Sequence, residues 1–301
     1  MKKFFIALIL ICLTSSAYAD KLKKSGFLSD KVSYHKEQKI DDPQNKILLI
    51  YNHGQKTHDG PSSDCAWKGG MKNMSSLVGK KVKDKEIVVY LFCTGKLKGD
   101  DYKRFWNKKK FKEPYKGKPK LEKRLDANLK LIEDFVDQGF KKKQIFLTGR
   151  SCGGWMTMML LSRYQDIVTG GISFVPECYG RLTGMYKVKK VGVEEALKKF
   201  KEKDGPGPAN MRQMQIDEIK KSKNLPVLVF THPKDPFGGL LSDWVEEVAG
   251  VERIVISQDN TVNGKSCNVW GKSIENYHDM DRATCFKEFN PKILEYIESR
   301  I

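Results

Sequence analysis

The stretch from Ile145 to Trp155, which reads IFLTGRSCGGW, restricts the possible folds of this chain more than any other segment. An apolar, strand-like run ends at Gly149, and Ser151 follows between Gly149 and Gly153. The residues after this point are mostly apolar and favour a helix. A serine on a sharp turn between a strand and a helix leaves no room for a Cβ atom two residues away on either side. The spacing therefore predicts a serine hydroxyl that is held clear of the backbone, beside helix amides.

Short apolar runs alternate with amphipathic stretches along the rest of the chain. The runs predicted as buried parallel strands are 46–52, 86–94, 171–176, 225–231 and 253–257, besides the run before Ser151. Apolar residues at three- and four-residue spacing predict a helix over 119–140, and Pro291 suits the first turn of a closing helix at 290–301. The alternation predicts an α/β fold with a mostly parallel central sheet flanked by helices.

The interval 179–223 does not follow this alternation of predicted strands and helices. It holds a basic, helix-like segment around 193–203, a Gly-Pro-Gly-Pro break at 205–208 and a second helical stretch near 211–221. We interpret the interval as a small helical cap inserted between two strands. On this interpretation residues 20–301 form a single domain.

The first 19 residues have the pattern of a secretory signal peptide. Lys2 and Lys3 precede an apolar run at 4–13, and a small-x-small cleavage site ends at Ala19. The apolar run is too short to span a bilayer comfortably, and no later segment is long and apolar enough, so no transmembrane segment is expected. We predict cleavage after Ala19 and an exported protein, either periplasmic or secreted.

Lysine and arginine outnumber the acidic residues by 55 to 37, which gives a formal net charge of +18. Such an excess favours contact with anionic surfaces or polymers. Because the lysines are spread along the chain, nucleic-acid binding is not expected. Basic and aromatic residues alternate in 102–120, where they could stack on flat ligands and attract anions, although a solvated loop has the same composition.

Seven cysteines are present, and the first, Cys12, lies in the signal peptide. The others are even in number, which is typical of disulfide-bonded exported proteins, and sequence alone leaves their pairing open. They are Cys65, Cys93, Cys152, Cys178, Cys267 and Cys285. No two have C-x-x-C spacing, which disfavours a zinc site or thioredoxin-like chemistry. Neither a metal nor a cofactor is expected.

A serine nucleophile needs a base that accepts its proton, and the base needs a carboxylate that fixes its tautomer. Asp235 follows the predicted strand 225–231, and open parallel sheets place reactive groups in such loops. His278 is the only histidine beyond Asp235. Where a glycine-framed serine between a strand and a helix is the nucleophile, the triad residues follow in the chain order serine, aspartate, histidine. Ser151, Asp235 and His278 have that order, so we predict that they form a catalytic triad. The alternatives for the carboxylate are Asp243 and Asp259.

The strand 46–52 leads into His53-Gly54-Gln55. A small residue at this strand end lets a backbone amide approach the reacting carbonyl oxygen. We predict that the amides of Gln55, or of the neighbouring Lys56, and of Cys152 form an oxyanion hole.

Together these motifs resemble the α/β-hydrolase superfamily. The residues that carry the resemblance are Gly149-Arg150-Ser151-Cys152-Gly153, His53-Gly54, Lys234-Asp235-Pro236 and His278. The doubled glycine followed by Trp155-Met156-Thr157 is similar to exported esterases, polyester depolymerases and dienelactone-hydrolase relatives. The fold that the resemblance implies favours the pairs Cys65–Cys93 and Cys267–Cys285, leaving Cys152 with Cys178. Two features of the chain depart from the pattern. A cysteine, Cys152, occupies the position whose amide should serve the oxyanion hole, and His278 lacks a flanking glycine.

The resemblance implies an exported serine hydrolase that cleaves carboxylic esters through an acyl-enzyme and needs no cofactor. Its substrate would be a small-molecule or polymeric ester. One alternative is a peptidase or amidase of the same fold. The other is a non-catalytic binding protein on a hydrolase scaffold that contacts anionic surfaces.

Overall fold

The computed structural model describes residues 25–29, 40–54, 65, 72–93, 120–204, 206–256, 261–262, 265–266, 277–279 and 284–301. The predicted signal peptide lies outside these residues, as does the basic and aromatic segment 102–120 except for its last residue. Within the described part, no helix combines the length and apolar character needed to cross a membrane.

The described residues form a mixed sheet of eight strands. The strands are β1 (Gly26–Phe27), β2 (Lys46–Asn52), β3 (Lys81–Val82), β4 (Lys85–Phe92), β5 (Ile145–Arg150), β6 (Gly170–Phe174), β7 (Val227–Thr231) and β8 (Val251–Val255). Their order is β1-β4-β2-β5-β6-β7-β8, and β3 also pairs with β4. β1 and β3 are antiparallel to β4, whereas the other neighbours are parallel. The predicted α/β fold with a mostly parallel sheet is confirmed. A separate hairpin joins β9 (Thr261–Val262) to β10 (Lys265–Ser266).

Helices cover both faces of the sheet. The α-helices are α1 (Lys72–Ser75), α2 (Lys120–Asp137), α3 (Cys152–Arg163), α4 (Leu182–Met185), α5 (Val188–Val191), α6 (Val193–Asp204), α7 (Pro206–Lys220) and α8 (Asn290–Glu298). Short 3-10 helices lie at Pro43–Asn45, Lys142–Gln144, Gly239–Glu247 and Thr284–Phe289. Helices α4 to α7 occupy the interval between β6 and β7 that the sequence analysis interprets as a cap.

The central strands are apolar throughout because both of their faces are buried. In β2, Leu48 and Ile50 face the core beneath α2 and α3, whereas Leu49 and Tyr51 face the core beneath α8. The parallel strands β2, β5, β6 and β7 end at the same edge of the sheet. The residues that follow these strands are therefore brought together, and this edge carries the candidate site.

Two disulfides lie within the described residues. Cys65 pairs with Cys93, with Cα atoms 5.9 Å apart, and Cys152 pairs with Cys178, with Cα atoms 4.2 Å apart. The side chains of Cys267 and Cys285 lie outside the described part of the chain.

Peptide mapping under non-reducing conditions is expected to recover Cys65 linked to Cys93, Cys152 linked to Cys178, and Cys267 linked to Cys285. The first link closes a loop with a sequence separation of 28. Loop-closure entropy predicts that a Cys65→Ser, Cys93→Ser double variant loses about 3 kcal/mol of unfolding free energy in urea titrations. Crossed links between these peptides would contradict the pairing.

Candidate active site

Ser151 lies in a strained turn between β5 and α3. Its φ of 56° and ψ of −124° are unusual for a residue with a side chain, and its amide donates to the Phe174 carbonyl at 2.9 Å. A Cβ atom on Gly149 would lie 2.6 Å from the Asn52 carbonyl oxygen, and one on Gly153 would overlap the same oxygen. The two glycines that frame the serine are thus required by the close approach of β2 to the turn.

Asp235 and His278 form a buried pair at this edge of the sheet. Nδ1 of His278 lies 2.9 Å from Oδ1 of Asp235. The carboxylate also accepts hydrogen bonds from the amides of Phe237 at 2.9 Å and Gly238 at 3.1 Å. These bonds fix the carboxylate and make Nδ1 of the histidine the protonated nitrogen, which leaves Nε2 as the basic one.

Nε2 of His278 is buried and has no hydrogen-bond partner among the described residues. A buried polar atom without a partner is uncommon in native proteins and calls for an explanation. The role of base in the predicted triad would supply one for this atom.

The Ser151 hydroxyl donates to the backbone carbonyl of Glu177 at 3.0 Å, and not to His278. The structure therefore forms the Asp–His link of the predicted triad but not the Ser–His hydrogen bond. Such bonds are often long or misaligned without substrate, and a rotation of the serine side chain changes the direction of its proton.

The imidazole of His278 is also held from its face. The Phe237 ring stacks on it with a centroid distance of 3.9 Å and an interplanar angle of 18°. The guanidinium of Arg181 lies 5.9 Å from the Phe237 centroid. The loop that follows β7 thus fixes both the edge and the plane of the histidine.

The two alternatives for the acid are less well placed. Asp243 pairs with Arg253 at 2.6 Å, and 54% of its side chain is exposed. Asp259 lies outside the described residues.

One half of the predicted oxyanion hole can be located. Cys152 begins α3 directly after Ser151, whereas Gln55 lies outside the described residues. The described residues just before Gln55 are held by two hydrogen bonds. His53 Nδ1 donates to the Gly54 carbonyl at 2.6 Å, and Arg124 donates to the His53 carbonyl at 2.5 Å.

A buried carboxylate, Glu177, was missed by the sequence analysis. Its Oε1 accepts from the amides of Cys178 at 2.9 Å and Tyr179 at 2.7 Å, and its Oε2 is 3.2 Å from Arg212. Burial raises the pKa of the Glu177 carboxyl, and the Arg212 guanidinium opposes that rise. A charged residue directly after a buried strand was the one signal that could have drawn attention to it.

Helix α7 is fixed to the site through Arg212 and Gln215. Arg212 also donates to the Leu241 carbonyl at 2.9 Å, and Gln215 accepts from Trp155 and Tyr179, each at 2.7 Å. The helix that carries both residues therefore rests directly on α3, which follows the elbow, the turn between β5 and α3 that carries Ser151.

Replacing Arg212 with leucine is expected to cost about 3–5 kcal/mol of unfolding free energy at pH 7.5, because Glu177 is left as a buried, uncompensated charge. The loss should shrink as the pH falls through the raised pKa of Glu177 towards the ordinary value of about 4.3, since protonation removes that charge. Urea titrations at pH 5 and pH 7.5 measure the difference. Lys220→Leu, which removes an exposed pair with Glu247, is the control. A cost that is the same at both pH values would contradict this account.

Within the described residues, no group of three or more His, Cys, Asp or Glu side chains is arranged to hold a metal ion.

No protein-family profile matches the chain, and no curated protein matches it in sequence. Among solved structures, it is similar to a fungal esterase from Rhizomucor miehei, at 14% identity and a TM-score of 0.49, over 95% of this chain and 87% of that one. It is also similar to an esterase from Pyrobaculum calidifontis, at 16% identity and a TM-score of 0.48, over 97% and 89% of the two chains. An S-formylglutathione hydrolase from Agrobacterium tumefaciens is similar at 14% identity and a TM-score of 0.45, over 85% and 84%.

Proposed function

We propose that this chain, which has an α/β-hydrolase fold, is an exported serine hydrolase that cleaves carboxylic esters. The observation that carries the proposal is the buried Asp235–His278 pair, whose Nε2 is unpartnered among the described residues, on the same sheet edge as the strained Ser151 turn. No structural requirement of the fold explains an aspartate, a histidine and a serine at these three positions together.

In the proposed mechanism, the Ser151 hydroxyl attacks the acyl carbon of the ester while His278 Nε2 accepts its proton. A bond forms between Oγ and the acyl carbon, and the carbonyl oxygen becomes an oxyanion. The amides of Cys152 and Gln55 stabilise that oxyanion, and each such donor contributes about 3 kcal/mol. Asp235 stabilises the imidazolium that forms and holds its orientation.

The intermediate then collapses. The bond from the acyl carbon to the alcohol oxygen breaks, and His278 returns its proton to the departing alcohol. Water attacks the acyl-enzyme by the same route, with His278 accepting the water proton, and releases the acid with a free Ser151.

The helices α4 to α7 shape the acyl side of the site in this proposal. They lie in the interval 179–223 that the sequence analysis interprets as a cap, and α7 is tied to the site by Arg212 and Gln215. The basic residues outside the site contact anionic surfaces near the place where the exported protein acts.

The test is hydrolysis by the protein purified after export. A series of p-nitrophenyl esters of increasing acyl length should be turned over, with a burst of p-nitrophenol equal to the enzyme concentration if deacylation is slow. Aminoacyl-nitroanilides should be poor substrates. Preference for the anilides would indicate a peptidase or amidase. Salt-sensitive binding to an acidic polymer without any turnover would indicate the binding protein, and would contradict the proposal.

A further inference from the structure

Arg150 occupies an unusual place for a charged side chain. It is the last residue of β5 and directly precedes Ser151, so their Cα atoms are about 3.8 Å apart. Only 6% of the residue is exposed. A guanidinium that is buried this deeply is costly unless it is paired and hydrogen-bonded, so its partners are informative.

Two of the partners of Arg150 lie in the segment 277–279, which carries His278. Nη1 of Arg150 forms an ion pair with the Asp279 carboxylate and a longer contact of 3.5 Å with the His278 backbone carbonyl. The side chain thus spans from the serine turn to the backbone of the histidine itself.

The other described contacts of this segment lead elsewhere. The His278 ring is held by Asp235 and Phe237, and the Tyr277 ring lies 4.4 Å from the ring of His232. These contacts all fix the histidine to the loop after β7, and none of them relates it to Ser151.

The relation between serine and histidine is not set by a bond between them either. The Ser151 hydroxyl donates to Glu177, and Nε2 of His278 has no partner among the described residues. The contacts of Arg150 are a described link between the strand that ends at the serine turn and the histidine segment.

We propose that Arg150, through Asp279, is a positioning residue that holds His278 in register with Ser151. The inference rests on the proposed function. In this proposal Arg150 acts without touching the substrate or the reacting atoms. It fixes the backbone of the histidine segment against the strand that ends in the nucleophile, and Asp279 offsets a positive charge that would otherwise face the imidazolium formed during the reaction.

The test compares kcat and KM for p-nitrophenyl acetate in Arg150→Met, Arg150→Lys, Asp279→Asn and the Arg150→Met, Asp279→Asn double variant. Because misplacement by about 1 Å can cost a reaction about 100-fold, Arg150→Met should lower kcat about 10- to 100-fold with KM changed less than about twofold. Arg150→Lys should recover part of the loss, since lysine keeps the charge but not the planar fork. The double variant should be no worse than Arg150→Met, because one interaction is removed twice.

Lys220→Met is the matched control, since it removes a partly exposed ion pair with Glu247, and it should keep the wild-type kcat. Unchanged kcat in Arg150→Met, a loss confined to KM, or additive losses in the double variant would overturn the inference. Should Arg150→Met fail to fold, Asp279→Asn decides alone: a severalfold lower kcat supports the inference, and a wild-type kcat overturns it.

Failure of the proposed function has a different signature. If the wild-type protein neither hydrolyses esters nor reacts with a fluorophosphonate, the proposed function fails and the inference falls with it. If the wild type is active in a Ser151-dependent way and Arg150→Met matches it, the inference alone is wrong.

Discussion

Ser151→Ala is expected to lower kcat for p-nitrophenyl esters by on the order of 10⁵-fold, because the attacking oxygen is removed and only binding and the oxyanion donors remain. Stopped-flow and steady-state assays over a wide range of enzyme concentrations measure the residual rate. The substitution should leave the fold intact, since the only hydrogen bond that the hydroxyl donates within the described part of the chain goes to the Glu177 carbonyl.

Ser162→Ala is the matched control for this variant. Ser162 lies near the end of α3, the helix that follows Ser151, and its hydroxyl donates only to the Met159 carbonyl at 2.9 Å among the bonds described. It should keep wild-type kinetics. A Ser151→Ala variant that retains more than a few per cent of the wild-type rate would show that another residue is the nucleophile.

Asp235→Asn is expected to lower kcat by about 10⁴-fold with a small change in KM. The carboxylate accepts from the histidine and from the amides of Phe237 and Gly238. An asparagine amide turns an acceptor into a donor, which favours the histidine tautomer with its proton on Nε2, and that tautomer cannot accept the serine proton.

Asp243→Asn and Asp259→Asn are the controls, because both residues were alternatives for the acid. Asp243 pairs with Arg253 at the surface, so its variant should change kcat little. A loss with Asp259→Asn that matches or exceeds the loss with Asp235→Asn would assign the acid to Asp259 instead. Thermal unfolding of each variant separates loss of activity from loss of fold.

The sequence predicted those parts of the fold in which local pattern and burial agree. The strand at Lys46–Asn52 has the predicted bounds, because a short apolar run is typical of a central parallel strand that is buried on both faces. The elbow was predictable for the same reason, since its glycines are demanded by contacts within a few residues and by the neighbouring strand. The two-residue strands β1 and β3 were missed, because so short a segment has no period to detect.

The candidate site was predicted in its residue types but not in its supporting contacts. The glycine-framed turn indicated Ser151, the place after a predicted strand indicated Asp235, and chain order indicated His278. The contact between Arg150 and Asp279 spans 129 positions, and that between Glu177 and Arg212 spans 35. Such pairings depend on how loops and inserted helices return to the sheet edge, which no local pattern encodes. The direction of the Ser151 hydroxyl is likewise a property of the packed site.

The most direct test of the central claim is covalent labelling of the purified protein with a fluorophosphonate, followed by reduction, trypsin digestion and mass spectrometry. The account predicts one adduct, on the peptide 151–163 at Ser151, and its disappearance in Ser151→Ala. Slower labelling in Asp235→Asn would link the reactivity to the buried pair. Absence of an adduct in the wild-type protein, an adduct on another residue, or labelling that survives Ser151→Ala would contradict the account.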